Sequence, residues 1–171
     1  MVPKAGGHKG QCGLGYCRSK WGLRMALPLQ GVRVLDLTNV MAGPYCNMLL
    51  GDLGADVVKV ETFPGGDTSR GFMPQVKGES YCFTVLNRNK RSLAVDLKHP
   101  EGHAIVRQLA LQADIVTENF RPGVVAKLGL DYASLRLLNP SVIYASMSGF
   151  GQTGPYAGRG GYDIIAQGMS G

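Results

Sequence analysis

The stretch of residues 31–61 constrains the fold more than any other part of the chain, because it predicts a strand, a helix and a second strand in succession. Residues 31–37 (GVRVLDL) and 56–61 (DVVKVE) are short runs of β-forming residues. Between them, Pro44 suits the first position of a helix and Gly54 suits the residue beyond a helix end. A β-α-β crossover of about 30 residues makes its two strands parallel.

The remainder of the chain continues this alternation. Pro100 begins a predicted helix in which apolar residues recur at helical spacing, and Asp131 can cap a short helix that ends near Leu138. Strands alternating with helices predict an α/β domain with a mostly parallel sheet. The polar residues 62–80 are predicted to form an ordered loop over a site or interface. The predicted strands of this part are YCFTVLN (81–87), SLAVDL (92–97), DIVTEN (114–119) and VIYASM (142–147).

The segments that follow the predicted strands are rich in glycine, proline and asparagine, whereas the connections at the opposite strand ends are plainer. Ligands of parallel α/β sheets bind at the carboxyl ends of the strands. One edge of the sheet is therefore a candidate ligand site. Its segments are TNVMAGP (38–44), ETFPGGD (61–67), LKHPEG (97–102), ENFRPG (118–123) and SGFGQTGPY (148–156).

The net charge of +6 is concentrated at the start of the chain. Residues 1–24 hold five basic residues and no acid, whereas residues 25–171 hold thirteen basic and twelve acidic residues. The main body is close to neutral, which argues against a broad nucleic-acid surface. No apolar run approaches the roughly 18 residues of a membrane span. We therefore expect no nucleic-acid partner and no membrane association.

Residues 1–24 are rich in glycine and lack any hydrophobic period. They are expected to be a basic extension outside the fold, either disordered or not native, with Met25 as the true start. A mitochondrial presequence is the alternative, so the expected location is cytoplasmic with a mitochondrial alternative. A protein that binds partners through this basic tail is a further hypothesis.

Cysteine and histidine spacing gives no metal signature. Cys12 and Cys17 lack a second pair nearby, and Cys46 and Cys82 fall in apolar stretches where buried thiols are usual. His99 and His103 could share a helix face, but no third ligand accompanies them. No metal site is expected.

Three short motifs admit both a structural and a ligand-binding interpretation. GFGQTG (149–154) has the spacing of a dinucleotide fingerprint, but Pro155 follows where a helix should begin, which argues against NAD binding. NRNKRS (87–92) is either a solvated turn between strands or a phosphate contact. ENFRPG (118–123) is either a buried polar turn or a contact that offers an amide, an aromatic face and a cation.

Taken together, these segments resemble the family III CoA-transferases, the group that includes formyl-CoA transferase and carnitine CoA-transferase. The resemblance implies a Rossmann-like α/β domain, with helices on both faces of a mostly parallel sheet, and a homodimer whose two chains interlink as rings. It covers nearly all of residues 27–171, in family order. The matching stretches are LPLQGVRVLDLTNVMAGPYCNMLLGDLGADVVKVE, GGDTSRG, NRNKRSLAVDLKHPEG, ADIVTENFRPGV, LGLDY, LNPSVIYASMSGFGQTGPYAGRGGYD and AQGMSG.

The resemblance also implies the substrate contacts. Coenzyme A or acyl-CoA would bind as substrate, with no permanently bound cofactor, and carboxylic acids would be the acceptors. One arginine contact of the family falls at Thr62 here, and some members have glutamine in place of Met41. The implied CoA-site residues are Met41, Ala42, Val95, Asp96, Leu97, Lys98, Asn119, Phe120, Arg121, Lys127, Gly160, Gly161, Tyr162 and Asp163.

The nucleophile implied by the family is an aspartate in a Gly-Asp motif that would lie beyond AQGMSG, and therefore beyond Gly171. In the family this aspartate attacks the acyl-CoA thioester, forming an acyl-aspartyl anhydride and releasing CoA thiolate. The thiolate re-attacks to give an aspartyl-CoA thioester, from which a second carboxylic acid takes the CoA. Residues 25–171 are therefore expected to be the N-terminal part of the large domain, incomplete at the C-terminus and inactive alone. The last residues, GGYDIIAQGMSG (160–171), form an apolar ending that few complete domains have.

Two alternatives to a transferase remain. The related α-methylacyl-CoA racemases carry a histidine base before the aligned aspartate, where this chain has Tyr162, and tyrosine is a poor base at neutral pH. Asp163 itself aligns with an acid beside the site, and it could instead cap the helix that begins at Ile164. The second alternative is a non-catalytic CoA-binding module.

Overall fold

A computed structural model describes residues 16–19 and 22–171, with side chains from Ala26 onward. The helices are α1 (Ala42–Asp52), α2 (Tyr81–Leu86), α3 (Pro100–Gln112), α4 (Val124–Lys127), α5 (Tyr132–Arg136) and α6 (Asp163–Ser170), with a 3-10 helix at Thr68–Gly71. The strands are β1 (Tyr16–Ser19), β2 (Gly22–Met25), β3 (Arg33–Leu37), β4 (Asp56–Thr62), β5 (Gln75–Val76), β6 (Glu79–Ser80), β7 (Lys90–Val95), β8 (Ile115–Glu118) and β9 (Ile143–Ser146).

The centre of the fold is a five-stranded sheet in the order β7-β4-β3-β8-β9, and every neighbouring pair is parallel. In chain order this is the doubly wound arrangement 3-2-1-4-5. The order reverses between β3 and β8, so connections leave in opposite directions there and a crevice opens at the carboxyl ends of these two strands. The predicted α/β fold with a parallel sheet and Rossmann-like winding is confirmed.

Helix α1 joins β3 to β4 as the sequence predicts, although it begins two residues before Pro44. It ends at Asp52, and Gly54 lies just beyond the C-cap residue Leu53, with a φ of 101° that favours glycine and an amide that donates to the Gly51 carbonyl. The helix lies very close to the sheet, since a β carbon at Gly43 would sit 2.3 Å from the β carbon of Thr38. Only glycine permits this approach.

The two faces of the sheet are covered by different helices. On one face, Leu35, Val60 and Val116 pack against Val106 and Ala110 of α3 in the main apolar cluster. On the other face, α1 covers a smaller apolar cluster and a row of buried polar side chains. The buried polar residues of this second face are Asp36, Thr38, Asn47, Lys59, Glu61 and Thr117.

The prediction of a strand at residues 81–87 is wrong, because Tyr81–Leu86 form helix α2. β-branched and aromatic residues dominate this stretch and favour a strand on composition alone. The Ser80 hydroxyl, however, accepts a hydrogen bond from the Phe83 amide and caps the helix. Leu86 then anchors the helix by burial.

Strands β1 and β2 pair only with each other, as an antiparallel hairpin separate from the central sheet. Their residues lie almost entirely within the extension for which the sequence shows no periodicity. The rest of that extension, residues 1–15, 20 and 21, lies outside the described residues, so its expected dispensability stays a prediction. Among the described residues, no helix is both long enough and apolar enough to cross a bilayer.

The last twenty residues are the least packed part of the fold. Helix α6 has no buried residue, and Ile164 and Met169 are 75% and 55% exposed. The Gln152 side-chain amide donates to the Ser146 hydroxyl of β9 at 2.7 Å, and a β carbon on Gly149 would lie 2.4 Å from the Gly161 α carbon. The loop after β9 and the segment before α6 therefore cross backbone against backbone.

Candidate functional site

A cavity of about 340 Å³ opens at the carboxyl ends of β3, β4, β7 and β8, on the edge that the sequence predicts for a ligand. Its walls are mainly apolar, and two exposed lysines, Lys98 and Lys127, contribute to the lining. Such a site can hold an apolar or aromatic group while cations contact an anion at its border. The apolar lining consists of Leu37, Val60, Val95, Leu97, Phe120, Val124 and Leu128.

The segment after β7 has a fixed shape. The Lys98 amide donates to the Asp96 carboxylate at 2.8 Å, and the His99 ring nitrogen accepts from the Glu101 amide to cap α3. A β carbon at Gly102 would lie 2.4 Å from the Asp96 carbonyl oxygen, so α3 starts directly against this turn. The side chain of Lys98 is thereby held beside the cavity.

Two asparagines join the turns that follow β3 and β8, at the point where the strand order reverses. The Asn39 amide donates to the Asn119 side-chain oxygen, and the Asn119 side-chain nitrogen donates to the Asn39 carbonyl, both at 2.8 Å. This reciprocal pair fixes the turn after β3 to the turn after β8. Sequence analysis predicts a role for Asn119 but not for its partner.

The structure brings only part of the predicted residue set to the cavity. Met41 and Ala42 stand at the start of α1, and Arg121 lies near Gly160, with its Nη2 atom 3.7 Å from where a β carbon would be. The predicted residues that line the cavity are Val95, Asp96, Leu97, Lys98, Phe120 and Lys127, and those outside its lining are Met41, Ala42, Asn119, Arg121, Gly160, Gly161, Tyr162 and Asp163.

Tyr162 and Asp163 lie at the start of α6. Tyr162 is 71% exposed and occupies the N-cap position, without a capping side-chain hydrogen bond. The helix begins at Asp163, so the suggestion that Asp163 caps it is off by one residue. The Asp163 carboxylate instead accepts a hydrogen bond from Gln167, one turn later.

Gly171 lies at the other end of the same helix. It is the exposed C-cap residue of α6, with a φ of 80°, and it does not line the cavity. The catalytic aspartate that the resemblance implies is expected beyond Gly171, outside the described residues, so its position stays a prediction. Gly171 itself has no side chain, and it is named only because the predicted nucleophile is expected after it.

The three cations of residues 87–92 are engaged by carboxylates of the chain itself. Arg88 binds Asp52, Arg91 binds Asp56 at 2.6 Å, and the buried Lys90 binds Asp36 at 3.0 Å. Lys90 also donates to the carbonyl of Pro44 and the side chain of Asn87. This arrangement favours the structural interpretation of the motif over a phosphate contact.

A buried ionic cluster, which the sequence does not predict, lies beneath the strand ends. Besides Asp36 and Lys90, the Lys59 ammonium lies 2.7 Å from the Asp67 carboxylate, with both side chains 1% exposed. Arg70 binds Glu61 through two nitrogens, at 2.6 and 2.8 Å, and its guanidinium stacks 3.7 Å from the centre of the Phe83 ring. Three acids and three bases thus neutralise each other.

Burial and hydrogen bonding oppose each other in this cluster. Burial alone would raise the pKa of Glu61, but hydrogen bonds from Arg70, Ser92 and the Asp67 amide lower that pKa to about 2. Burial likewise opposes ionisation of Asp67, and the nearby Lys59 ammonium together with hydrogen bonds from Ser69 brings its pKa below the usual value. Desolvation lowers the pKa of Lys90 despite Asp36.

The sequence does carry a signal for this cluster. In the strand DVVKVET, Lys59 and Glu61 alternate with valines, and Asp36 interrupts the apolar run of β3. Charged residues are seldom fully buried unless they are paired. The pattern could have shown that pairs exist, but not which residues pair.

One known protein family covers most of this chain. The model of CoA-transferase family III matches residues 29–171. The chain belongs to that family. It is 53% identical over 151 residues to a succinate–glutarate CoA-transferase of Agrobacterium fabrum, a match that covers 84% of this chain and 38% of the relative. It is 44% identical over 166 residues to a human succinyl-CoA:glutarate CoA-transferase, covering 96% of this chain and 38% of the relative.

Solved structures of the same family have the same fold as this chain. A CAIB/BAIF family protein from Brucella suis superposes with a TM-score of 0.80 at 47% identity, over 85% of this chain and 39% of that one. This chain therefore spans about two fifths of the length of the relatives it matches. The human match covers so much of this chain that it includes part of residues 1–24.

Proposed function

We propose that this chain holds the CoA moiety of an acyl-CoA in the cavity at the strand ends, as part of an enzyme that moves CoA from an acyl-CoA to a carboxylic acid. The observation that carries the proposal is the position of two exposed lysines, Lys98 and Lys127, on a mainly apolar cavity where the strand order of the doubly wound sheet reverses. The carboxylates of the lining are Glu61, Asp67 and Asp96, and the first two are paired with Arg70 and Lys59. Membership of CoA-transferase family III supplies the chemistry.

The lining matches the two halves of CoA. Valine, leucine and phenylalanine side chains suit the flat adenine ring and the pantetheine arm, which gain from leaving water. Lysine ammonium groups suit the phosphates, because charge-assisted hydrogen bonds are shorter and stronger than neutral ones. Asn119 and Phe120 contribute by shaping the turn where the strand order reverses rather than by charge.

The acceptor is proposed to be a dicarboxylic acid and the donor succinyl-CoA or a related acyl-CoA. Relatives at 43–53% identity carry names that include succinate, glutarate, malate, citramalate and oxalate, all short dicarboxylates. The aspartyl-CoA route of the family then proceeds through a nucleophilic aspartate beyond Gly171. The 171 residues are accordingly proposed to bind CoA without turning over acyl-CoA, and the complete enzyme to be a homodimer.

Racemase chemistry is the less favoured candidate. It would require a base at the position of Tyr162, and the side chain there is exposed and makes no capping hydrogen bond. A histidine would be the usual proton acceptor near neutral pH. A transferase needs no base at this position.

Calorimetric titration of CoA into the 171-residue chain tests the proposal. Lys98→Ala and Lys127→Ala should each weaken binding by about tenfold or more if the contact is desolvated. Arg107→Ala is the matched control, because Arg107 is an exposed cation on α3 away from the cavity lining. Equal affinity in all three variants would remove the cavity from the CoA site.

A transfer assay completes the test. Succinyl-CoA is mixed with glutarate or oxalate and the 171-residue chain, and new acyl-CoA is followed by mass spectrometry. Binding of CoA without product above a no-protein control is the expected result. Product formation that disappears in Asp163→Asn would make Asp163 the nucleophile and would contradict the proposal that the nucleophile lies beyond Gly171.

A further inference from the structure

The turn between β3 and α1 contains a residue in an unfavourable conformation. Val40 has a φ of 72°, in the left-handed region where a β-branched side chain crowds its own backbone. Such a conformation persists only where the surroundings hold it. Val40 directly precedes Met41 and Ala42, which the family resemblance assigns to the CoA site.

A distant carboxylate holds this residue. The Val40 amide donates to the side chain of Asn39 at 2.8 Å and to Oδ1 of Asp67 at 3.2 Å. The same Asp67 oxygen accepts from the Ser69 amide at 2.8 Å and from the Ser69 hydroxyl at 2.6 Å. Asp67 is 3% exposed, so water does not compete for these donors.

Lys59 contacts the same turn at its first residue, Thr38. Its ammonium group lies 2.7 Å from Oδ2 of Asp67 and donates to the Thr38 carbonyl at 2.8 Å. The Lys59–Asp67 pair therefore contacts the turn both at Thr38 and at Val40. Thr38 and Asp67 also line the cavity.

We propose that Asp67, oriented by Lys59, is a positioning residue that holds Val40 in its left-handed conformation and thereby places Met41 and Ala42 for the substrate. The inference rests on the proposed function, because it assigns these residues to CoA binding. Asp67 lines the cavity but is only 3% exposed, and its proposed action is through the backbone of the turn.

Stability alone is a weak explanation for the pair. A buried ion pair can often be replaced by apolar residues of similar volume without loss of stability. What an apolar replacement at residue 67 cannot supply is the acceptor that ties the Val40 amide to the loop after β4, because the other acceptor, Asn39, belongs to the turn itself. This difference separates a positioning role from a structural one.

Two double variants distinguish the positioning role from the structural one. Lys59→Met with Asp67→Asn removes both charges but keeps a side-chain oxygen that can accept from Val40. Lys59→Met with Asp67→Leu removes both charges and the side-chain acceptor at residue 67. Neither variant leaves an unpaired ion, but the leucine variant also lacks an acceptor for the Ser69 amide and hydroxyl, so it should unfold at a lower temperature, and CoA binding is compared well below both unfolding midpoints. The leucine variant should bind CoA at least about fivefold more weakly than the asparagine variant, because its turn is no longer tied to the loop after β4.

Amide resonances report on the turn directly. In the leucine variant, the proton–nitrogen resonances of Val40 and Met41 should shift relative to the asparagine variant. Equal CoA affinity in the two variants, or unmoved Val40 and Met41 resonances, would overturn the proposal. If the wild-type chain does not bind CoA at all, the proposed function fails, while the resonances still decide whether Asp67 positions the turn.

Hydrogen exchange on the unmodified chain covers the case in which the leucine variant does not fold. The amides of Val40 and Ser69 donate to the same carboxylate oxygen, so both should exchange slowly. Fast exchange of Val40 beside a protected Ser69 would show that Asp67 does not hold the turn, and would overturn the proposal without any substitution.

Discussion

The two faces of the central sheet are built by opposite means. The face under α3 is a continuous apolar cluster, with Glu118 at the end of β8 as its buried charged residue. The face under α1 buries Asp36, Lys59 and Glu61 on the same strands, β3 and β4. Each strand thus alternates between hydrocarbon on one side and charge on the other.

This difference separates two tasks. Apolar packing is non-directional and depends mainly on the volume of the buried side chains. The α3 face can therefore stabilise the sheet without fixing the positions of the loops. Ion pairs and hydrogen bonds are directional, so the α1 face dictates loop positions: Asp67 and Arg70 belong to the loop after β4, and both bind side chains of β4. The loops that border the cavity are therefore set by the charged face.

The largest expected effect comes from breaking a buried pair on one side only. Lys59→Met leaves Asp67 buried without its cation and should lower the free energy of unfolding by about 3–5 kcal/mol. The matched control is Arg91→Met, which breaks the exposed pair with Asp56 at the other end of β4 and should cost about 0–1 kcal/mol. Urea unfolding of the 171-residue chain measures both; similar losses would erase the distinction between buried and exposed pairs.

The apolar face should respond to volume instead. Leu35 is 1% exposed and packs in the main cluster. Leu35→Ala should lower the free energy of unfolding by about 2–5 kcal/mol, because a cavity remains. Leu35→Met keeps the volume and should cost less than about 1.5 kcal/mol. If Leu35→Met lowered the free energy of unfolding as much as Leu35→Ala does, the shape of the side chain rather than its volume would determine the stability of this face.

Acid should weaken the charged face selectively. Glu61 has a pKa of about 2 in the fold against an ordinary 4.5, so its contribution is present above pH 4.5 and is lost as the pH falls toward 2. Between these values, the free energy of unfolding should fall by up to about 1.4 kcal/mol per pH unit through this group. Glu61→Gln should flatten that slope, and so should Arg70→Met. Parallel pH profiles in all three proteins would contradict the assignment.

The smallest effect is expected from removing residues 1–24. A chain that starts at Met25 should keep its helix signal in far-ultraviolet circular dichroism and its unfolding midpoint, since the described hairpin of β1 and β2 pairs with no strand of the central sheet. A loss of helix signal or a lower midpoint would show that residues 1–24 support the fold. The human relative, whose match reaches into these residues, makes the result informative in either direction.

Local signals in the sequence predicted most of the fold. Gly54 ends α1, Pro100 begins α3 and Asp131 caps α5, and each acts through its own backbone or its near neighbours. Helix α2 is not predicted because a single cap at Ser80 outweighs a strand-like composition, and the short strands β1, β2, β5 and β6 and helix α4 are not predicted either. Parallel pairing then followed from the β-α-β unit.

The site was predicted less completely, because its contacts join residues that are far apart in sequence. Lys98, Phe120 and Lys127 follow strand ends and could be placed at the ligand edge by position alone. The tie between Val40 and Asp67 spans 27 residues, and that between Asn39 and Asn119 spans 80. Lys90 lies in the basic motif of residues 87–92, which is also compatible with a phosphate contact, and only the fold shows that it pairs with Asp36.

The crossing of Gly149 and Gly161 has a consequence for how this sequence can vary. A β carbon on either residue would lie 2.4–2.5 Å from the α carbon of the other, so neither position has a permissive substitution while the crossing is intact. Once one glycine is replaced, the two segments of chain must separate, and the second replacement then meets no obstacle. The pair should therefore show strong epistasis in a mutational scan: each single substitution is damaging, and the double substitution is little worse than either. Drift at this crossing would have to proceed through both glycines together.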